Sequence, residues 1–241
     1  MTMPVYVSPE QVMKDRADFA RKGIARGRSV IVMSYQNGIL LATENHSRAL
    51  HKISEIYDRI GFAAVGKYNE FEQLRVGGIR YADTRGYNYS RADVTARALA
   101  NAYAQAMGTS FTTEQKPLEV ELIVAEIGAE PDEDQIYRVS YDGSVAEEPD
   151  YLVIGGQAET LNKHVAANWR PDATLPEALK LALDTLGSVG ADGTVLPAGE
   201  QREIEPKSLE VGVLERHREG RTFRRITGAA LTKTLADLPK D

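Results

Sequence analysis

The chain has 241 residues, of which 42% are hydrophobic and 27% are charged, and its net charge is −6. A chain of this length buries roughly 70% of its surface on folding, which is enough for one large core. The sequence contains no cysteine, which excludes a disulfide framework, a Cys-ligated zinc, an iron–sulfur cluster and a thiol nucleophile. The negative net charge argues against binding to nucleic acid or to a membrane surface.

Charge is unevenly distributed along the chain. Residues 1–30 carry six Lys/Arg against three acids, whereas residues 126–150 carry nine acids against Arg138 alone. We expect either two solvated surface segments or a charged face that docks a partner. The first residues do not combine a basic stretch with an apolar core, and no uncharged apolar run reaches about 18 residues, so we predict a cytoplasmic protein.

The first predicted element is a helix over residues 8–27. Ser8-Pro9-Glu10-Gln11 is a capping box with proline at the first helical position. One apolar stripe follows the cap, formed by Met13, Ala17, Ala20 and Ile24. This stripe is modest and precedes the first strand, so we expect the helix to pack on another surface, such as that of a neighbouring subunit.

The rest of the chain reads as runs of strands and pairs of helices. Asn37-Gly38 between two apolar runs predicts a hairpin, and Asn69, Ser90 and Thr174 are predicted helix N-caps. Strands are predicted over 29–34, 39–43, 53–57, 60–65, 118–124, 136–141, 151–154, 209–214 and 222–226, with a final helix over 229–238. Strands that come in runs favour an α+β fold with two stacked antiparallel sheets between two helical layers.

Most residues that could carry chemistry lack the required spacing. The four histidines form no metal-binding pattern, and the pairs Gly77-Gly78 and Gly155-Gly156 do not extend to a phosphate-binding loop. We therefore expect no cofactor and no metal. One basic cluster near the end predicts a solvated strand face or a salt-bridging interface: Arg216, His217, Arg218, Arg221, Arg224 and Arg225.

Residues 20–66 contain four motifs in a fixed order. They are Ala20-Arg21-Lys22-Gly23-Ile24-Ala25-Arg26-Gly27, Ser29-Val30-Ile31-Val32-Met33, Asn37-Gly38-Ile39-Leu40-Leu41-Ala42-Thr43-Glu44 and Lys52-Ile53-Ser54-Glu55-Ile56. This order resembles the proteasome α/β subunit family, and the capped helix before the first strand marks the α type. The resemblance covers nearly the whole chain and implies a single domain over 1–241, with the four-layer αββα sandwich of the N-terminal nucleophile hydrolases.

Two further stretches resemble the actinobacterial α subunits in particular. They are Tyr57-Asp58-Arg59-Ile60-Gly61-Phe62-Ala63-Ala64 and Gly66-Lys67-Tyr68-Asn69-Glu70-Phe71. By this resemblance the substrates are proteins tagged with a small ubiquitin-like protein, and an ATPase recognises them.

The resemblance also locates the site at which active members of the family cleave peptides. Active β subunits use an N-terminal threonine, whose free amine acts as base, together with a carboxylate and a lysine. The carboxylate position falls on Glu44, the lysine position on Lys52, and the nucleophile position on Arg28. The chain is therefore expected to be catalytically inert. The alternatives are an active hydrolase that is processed before Ser29, and an assembly protein with no link to proteolysis.

The remaining expectations concern partners. The resemblance implies a seven-membered ring of this chain that stacks on β subunits in a threonine-type endopeptidase complex. Lys52, with Gly66 and Lys67, is expected to line a pocket between neighbouring subunits that receives the C-terminal tail of a proteasomal AAA ATPase or other activator. The residues before the first helix are expected to gate the axial pore: Met1, Thr2, Met3, Pro4, Val5, Tyr6 and Val7.

Overall fold

The computed structural model describes residues 8–197 and 199–238. The expected gating residues 1–7 lie outside the described residues. Six helices are found within these limits: α1 (Pro9–Ala25), α2 (Tyr68–Asn88), α3 (Ala96–Thr113), α4 (Ala158–Asn168), α5 (Leu175–Gly187) and α6 (Gly228–Ala236). No helix in the described ranges has the length and apolar character that a membrane span requires.

In the described part of the chain, ten strands form two antiparallel five-stranded sheets. The strands are β1 (Val30–Tyr35), β2 (Gly38–Glu44), β3 (Ile53–Tyr57), β4 (Ile60–Gly66), β5 (Val120–Glu126), β6 (Gln135–Val139), β7 (Val145–Glu148), β8 (Tyr151–Ile154), β9 (Leu209–Glu215) and β10 (Phe223–Ile226). The first sheet has the order β10-β9-β2-β1-β8 and the second has the order β3-β4-β5-β6-β7. Tyr35 pairs with Gly38 at the β1–β2 turn, so the predicted Asn-Gly hairpin is confirmed.

Three apolar clusters hold four layers together. Helices α4 and α5 pack on the first sheet through residues such as Leu161, Leu179 and Val213. Helices α2 and α3 pack on the second sheet around Phe62 and Leu99. A third cluster fills the space between the sheets. The predicted fold, two antiparallel sheets between helix pairs in an αββα sandwich, is confirmed.

Helix α1 lies beside this sandwich at one end of the inter-sheet core. Its residues Ala20 and Ile24 are buried with that core, whereas Met13 of the same stripe is exposed. The inner half of the stripe therefore packs within this chain, and the expectation that the helix packs on another surface does not hold for these residues. The Gln11 amide donates to Ser8 Oγ at 3.2 Å, which confirms the N-cap. The prediction that the Gln11 side chain reaches back to complete the capping box is wrong, because this side chain donates to Asp15 instead. The helix is also shorter than the predicted 8–27.

The start of α2 differs from the prediction. The helix begins at Tyr68 with Lys67 at the N-cap position, two residues before the predicted cap Asn69. The reason is tertiary, because the Lys67 amide donates to the Glu119 carbonyl at 3.0 Å and so ends the β4–β5 pairing at that point.

Ser90 is also a cap, but of a different element. Its hydroxyl accepts from the Ala92 amide in a 3-10 turn over Arg91–Asp93. Helix α3 then starts at Ala96 with Thr95 as its cap. Strand β7 was not predicted, because it has only four residues and is mostly exposed, and its pairing with β6 is what makes it a strand.

Candidate functional site

A cleft of about 480 Å³ opens where α1 runs into β1. Gly27 lies at this junction, and its carbonyl accepts from the Gly156 amide at 3.0 Å. A Cβ on Gly156 would lie 2.8 Å from the Ala25 carbonyl oxygen, so only glycine allows this close approach. This close contact between the two segments positions the backbone that leads into β1.

Arg28 occupies the cleft at the position expected for a nucleophile. Its guanidinium is hydrogen-bonded to Glu44, the last residue of β2, whose side chain is only 7% exposed. Ser29 is buried, and its hydroxyl donates to the Gly156 carbonyl. The cleft therefore contains an ion pair where an active member of the family would hold a hydroxyl nucleophile.

Glu44 is held by a second arginine that sequence reasoning missed. Arg202 Nη1 donates to Glu44 Oε1 at 3.0 Å, and Arg202 Nη2 contacts Glu44 Oε2. His46 Nε2 lies 3.4 Å from the same carboxylate. Arg202 comes from the long segment between α5 and β9, in which no periodic pattern marks a position. Only the fold brings it within reach of β2.

The electrostatics of Glu44 follow from these contacts. Burial by itself raises the pKa of Glu44, but the hydrogen bonds and charge of Arg202 and the charge of Arg28 outweigh burial and hold the pKa below its ordinary value. Glu44 therefore stays ionised between two guanidinium groups. A carboxylate that accepts hydrogen bonds from two guanidinium groups in this way is suited to a structural role.

Lys52 lies next to the backbone of Arg28. Its Nζ donates to the Arg28 carbonyl at 2.9 Å, so it contacts the backbone of Arg28 and forms no ion pair with Glu44. Burial lowers the pKa of Lys52 to about 8. An ammonium that is desolvated in this way gains more from a carboxylate partner than a fully hydrated lysine would.

Gly66 and Lys67 lie next to the same junction. Gly66 has φ +120°, and a Cβ on it would lie 1.9 Å from the Glu119 carbonyl oxygen. A Cβ on Gly27 would lie 3.4 Å from the Gly66 amide nitrogen, which shows how closely the two segments pass. Lys67 Nζ forms an ion pair with Glu119 at 2.9 Å.

The fold thus brings Lys52 and Gly66 to two sides of the Gly27–Arg28 backbone, but Lys52, Gly66 and Lys67 do not line the 480 Å³ cleft itself. That cleft is lined by Arg28, Glu44 and Arg202 among others. Within the described ranges no cluster of His, Asp and Glu side chains is arranged to hold a metal ion.

Comparison with known proteins identifies the fold family. The proteasome subunit family model matches residues 24–196. Three curated relatives are each called "Proteasome subunit alpha". The protein of Xylanimonas cellulosilytica is 70% identical over 96% of this chain and 95% of its own length. Those of Sanguibacter keddieii and Kineococcus radiotolerans are 62% and 60% identical, each over 98% of this chain, and over 90% and 99% of their own lengths.

Proposed function

The chain belongs to the proteasome subunit family as an α-type member, and we propose that it is a non-catalytic subunit that gates a proteolytic chamber formed by β subunits. In this proposal residues 1–241 form one α-type domain, of which residues 1–7 are the gating tail. Seven copies form each outer ring, and the cytoplasm is the location that the sequence predicts. Protein substrates pass through the ring and are cut in the β subunits.

One observation carries the non-catalytic part of the proposal. The side chain at the nucleophile position is Arg28, a permanently charged group whose guanidinium is engaged by Glu44. A guanidinium cannot act as the hydroxyl nucleophile that acyl transfer requires. Glu44 lies at the position of the catalytic carboxylate and accepts hydrogen bonds from both Arg28 and Arg202, which supports a structural role for it.

The alternative is a hydrolase that is cut before Ser29. Such a cut would remove α1, whose residues Ala20 and Ile24 are buried in the inter-sheet core. It would also remove the Gly27 carbonyl that accepts from Gly156. Ser29 Oγ is already donating to the Gly156 carbonyl. These contacts favour the intact chain over a processed one.

The docking role of Lys52, Gly66 and Lys67 rests on charge and on position. Burial lowers the pKa of the Lys52 ammonium to about 8. Contact with a terminal carboxylate would favour the charged form again. Gly66 lies so close to the Glu119 carbonyl that no side chain fits at this position. We expect the tail of an AAA ATPase or another activator to place its carboxylate at Lys52. Lys67 contributes less, because Glu119 already pairs with it.

The test compares the chain alone with the assembled particle. The purified chain should leave fluorogenic peptides uncut, and its intact mass should begin at Met1 or Thr2. Adding the β subunit of the same organism should give peptide cleavage and a co-purifying complex. Cleavage by the chain alone that disappears in Ser29→Ala would favour the processed hydrolase instead. Failure to bind any β subunit would favour an assembly protein with no link to proteolysis.

A further inference from the structure

Glu119, the residue before β5, lies between the expected docking residues and helix α1. Its carbonyl accepts from the Lys67 amide at 3.0 Å, and a Cβ on Gly66 would lie 1.9 Å from the same oxygen. Its amide donates to Glu70 Oε2 at 2.7 Å. Both backbone groups are thus fixed to the segment that starts α2, so a change of partner moves the side chain of Glu119 rather than its backbone.

Two lysines share the carboxylate of Glu119. Glu119 Oε2 lies 2.9 Å from Lys67 Nζ and 3.0 Å from Lys116 Nζ. The Glu119 side chain is 9% exposed, whereas the side chains of Lys67 and Lys116 are 52% and 42% exposed. Burial by itself raises the pKa of Glu119, but the two lysines outweigh burial and hold the pKa below its ordinary value. Glu119 is therefore ionised at neutral pH and has two alternative cationic partners.

Helix α1 packs directly on this side chain. A Cβ on Gly23 would lie 2.4 Å from Glu119 Oε1 and 2.8 Å from the Glu119 Cβ, so glycine is what allows the helix to approach so closely. Lys116 contacts the same helix, since its Nζ lies 5.7 Å from the centroid of the Phe19 ring. A movement of the Glu119 carboxylate therefore changes the surface against which α1 packs.

The first two turns of α1 extend away from this contact. Residues 9–15 are exposed, and Arg16 ties the middle of the helix to the Phe111 carbonyl through a long side chain, at 2.7 Å. From Gly23 to Ser8 the helix runs about 22 Å, at about 1.5 Å per residue. A tilt of about 5° at Gly23 therefore moves the start of the helix, and the residues before it, by roughly 2 Å.

We propose that Glu119 is the positioning residue that sets the angle of α1, and with it residues 1–7, and that a carboxylate bound at Lys67 changes this angle. Such a carboxylate competes with Glu119 for the Lys67 ammonium, which solvent reaches, and the Glu119 side chain then turns to Lys116. This inference rests on the proposed docking and gating functions and adds the residue that links them.

A buried ion pair beside a strand can also be purely structural. Glu121 on β5 provides the comparison, because its side chain is 8% exposed and pairs with Arg138 of β6 at 2.6 Å. The two glutamates are similarly buried, but Glu119 has a second lysine and a contact with Gly23 of α1. A purely structural role predicts the same behaviour for Glu119→Gln and Glu121→Gln, whereas a positioning role predicts a difference.

Degradation by the particle assembled with β subunits is the first measurement. Glu119→Gln and Gly23→Ala should each raise the rate for an unfolded, casein-like protein by about threefold or more and change tripeptide cleavage less. Lys67→Ala should act in the same direction, and Lys67→Arg, which keeps the cation, should not. The double variant Lys67→Ala with Glu119→Gln should be no faster than the faster single variant, because both changes remove one contact. Equal rates in Glu119→Gln and Glu121→Gln would overturn the proposal.

Spin labels give a second readout, because the chain has no cysteine of its own. Labels at Lys14→Cys on α1 and Lys163→Cys on α4 report the angle of α1, in assemblies diluted with unlabelled chain. The probe is a peptide with the last seven residues of the AAA ATPase of the same organism. Its free acid should shift the label distance by roughly 2 Å, as the lever arm of α1 requires, and its C-terminal amide should not. Glu119→Gln should show the shifted distance without peptide, and equal responses to acid and amide would refute the competition at Lys67.

Failure of this inference can be told from failure of the proposed function. If deletion of residues 1–7 speeds protein degradation but Glu119→Gln does not, the gate exists and Glu119 does not position it. If the deletion has no effect, the gating function itself is wrong. Circular-dichroism melts of Glu119→Gln and Gly23→Ala separate a changed angle from lost folding. Should either variant unfold, the peptide experiment on the otherwise unmodified labelled chain still decides the proposal.

Discussion

Lys52 is the residue on which the docking proposal depends most. We predict that Lys52→Ala lowers the affinity for an activator tail by about 10- to 150-fold, since a charge-assisted hydrogen bond contributes roughly 1.5–3 kcal/mol. Basal peptide cleavage by the assembled particle should remain near that of the unmodified particle. Lys163→Ala, at an exposed lysine on α4, is the control and should leave affinity unchanged. Normal affinity with impaired assembly would contradict the docking role.

The same lysine predicts a pH dependence. The pKa of Lys52 is lowered to about 8 by burial, whereas a bound carboxylate favours the charged form and raises that pKa. Binding must therefore take up a proton once the pH exceeds about 8. Activator affinity should be flat below this pH and should fall above it, as measured by titration at several pH values. An affinity that does not change up to pH 9.5 would argue against contact with the ammonium.

Glu44 is the second residue whose role can be tested. Glu44→Gln leaves the guanidinium groups of Arg28 and Arg202 without their carboxylate, and breaking a buried pair of this kind costs about 3 kcal/mol. Urea unfolding measures the change in the free energy of unfolding. Glu159→Gln, at an exposed pair on α4, should give no measurable change.

The direction in which the Glu44 contribution to folding stability changes with pH follows from the lowered pKa of this residue. The folded state holds the carboxylate ionised below its ordinary pKa of 4.5. The stabilisation is therefore fully present above that value and is lost as the pH falls through the folded-state pKa. Stability of the unmodified chain should decline more steeply below pH 4.5 than stability of Glu44→Gln.

At the scale of elements, alanine substitutions at the two adjacent glycines of α2 should change the stability of the protein in opposite directions. A Cβ on Gly77 meets nothing within 4 Å, whereas a Cβ on Gly78 would lie 1.8 Å from the Tyr103 hydroxyl of α3. Gly77→Ala should stabilise the protein by about 0.5–1 kcal/mol, because alanine loses less conformational freedom in a helix. Gly78→Ala should destabilise it by about 1–3 kcal/mol through overpacking.

Thermal and urea unfolding of the two glycine variants measure these changes. Tyr103→Phe removes the hydroxyl that the new methyl group would meet, so Gly78→Ala should be less harmful in that background. Equal effects of Gly77→Ala and Gly78→Ala would show that α2 and α3 do not pack through this contact.

At the scale of the whole molecule, the gating proposal concerns residues 1–7. We predict that deletion of these residues speeds degradation of unfolded, casein-like proteins by the assembled particle and affects tripeptides less, because small substrates pass a narrow pore more easily. Helix α1 should survive the deletion, since the cap from Ser8 to the Gln11 amide is retained. An unchanged rate with the protein substrate would show that these residues do not gate.

Local chemistry determined much of the fold from the sequence alone. Ser8, Asn37-Gly38 and Thr174 act over three or four residues, and each specified its helix start or hairpin correctly. Strands and helices differ in their hydrophobic period, which can be read from the sequence. The resulting order, runs of strands between pairs of helices, indicated stacked antiparallel sheets. The motifs of residues 20–66 likewise pointed to the family, and with it to Arg28 at the nucleophile position.

The tertiary structure decided what depends on contacts distant in sequence. Arg202 reaches Glu44 across 158 positions, and no local pattern marks a guanidinium in a long connecting segment. Strand β7 exists only because β6 pairs with it, and α2 starts at Tyr68 because the Lys67 amide bonds to Glu119. The pKa of Lys52 is likewise set by burial, a property of the folded chain. Such features arise from long-range pairing and desolvation, which the order of residues does not display.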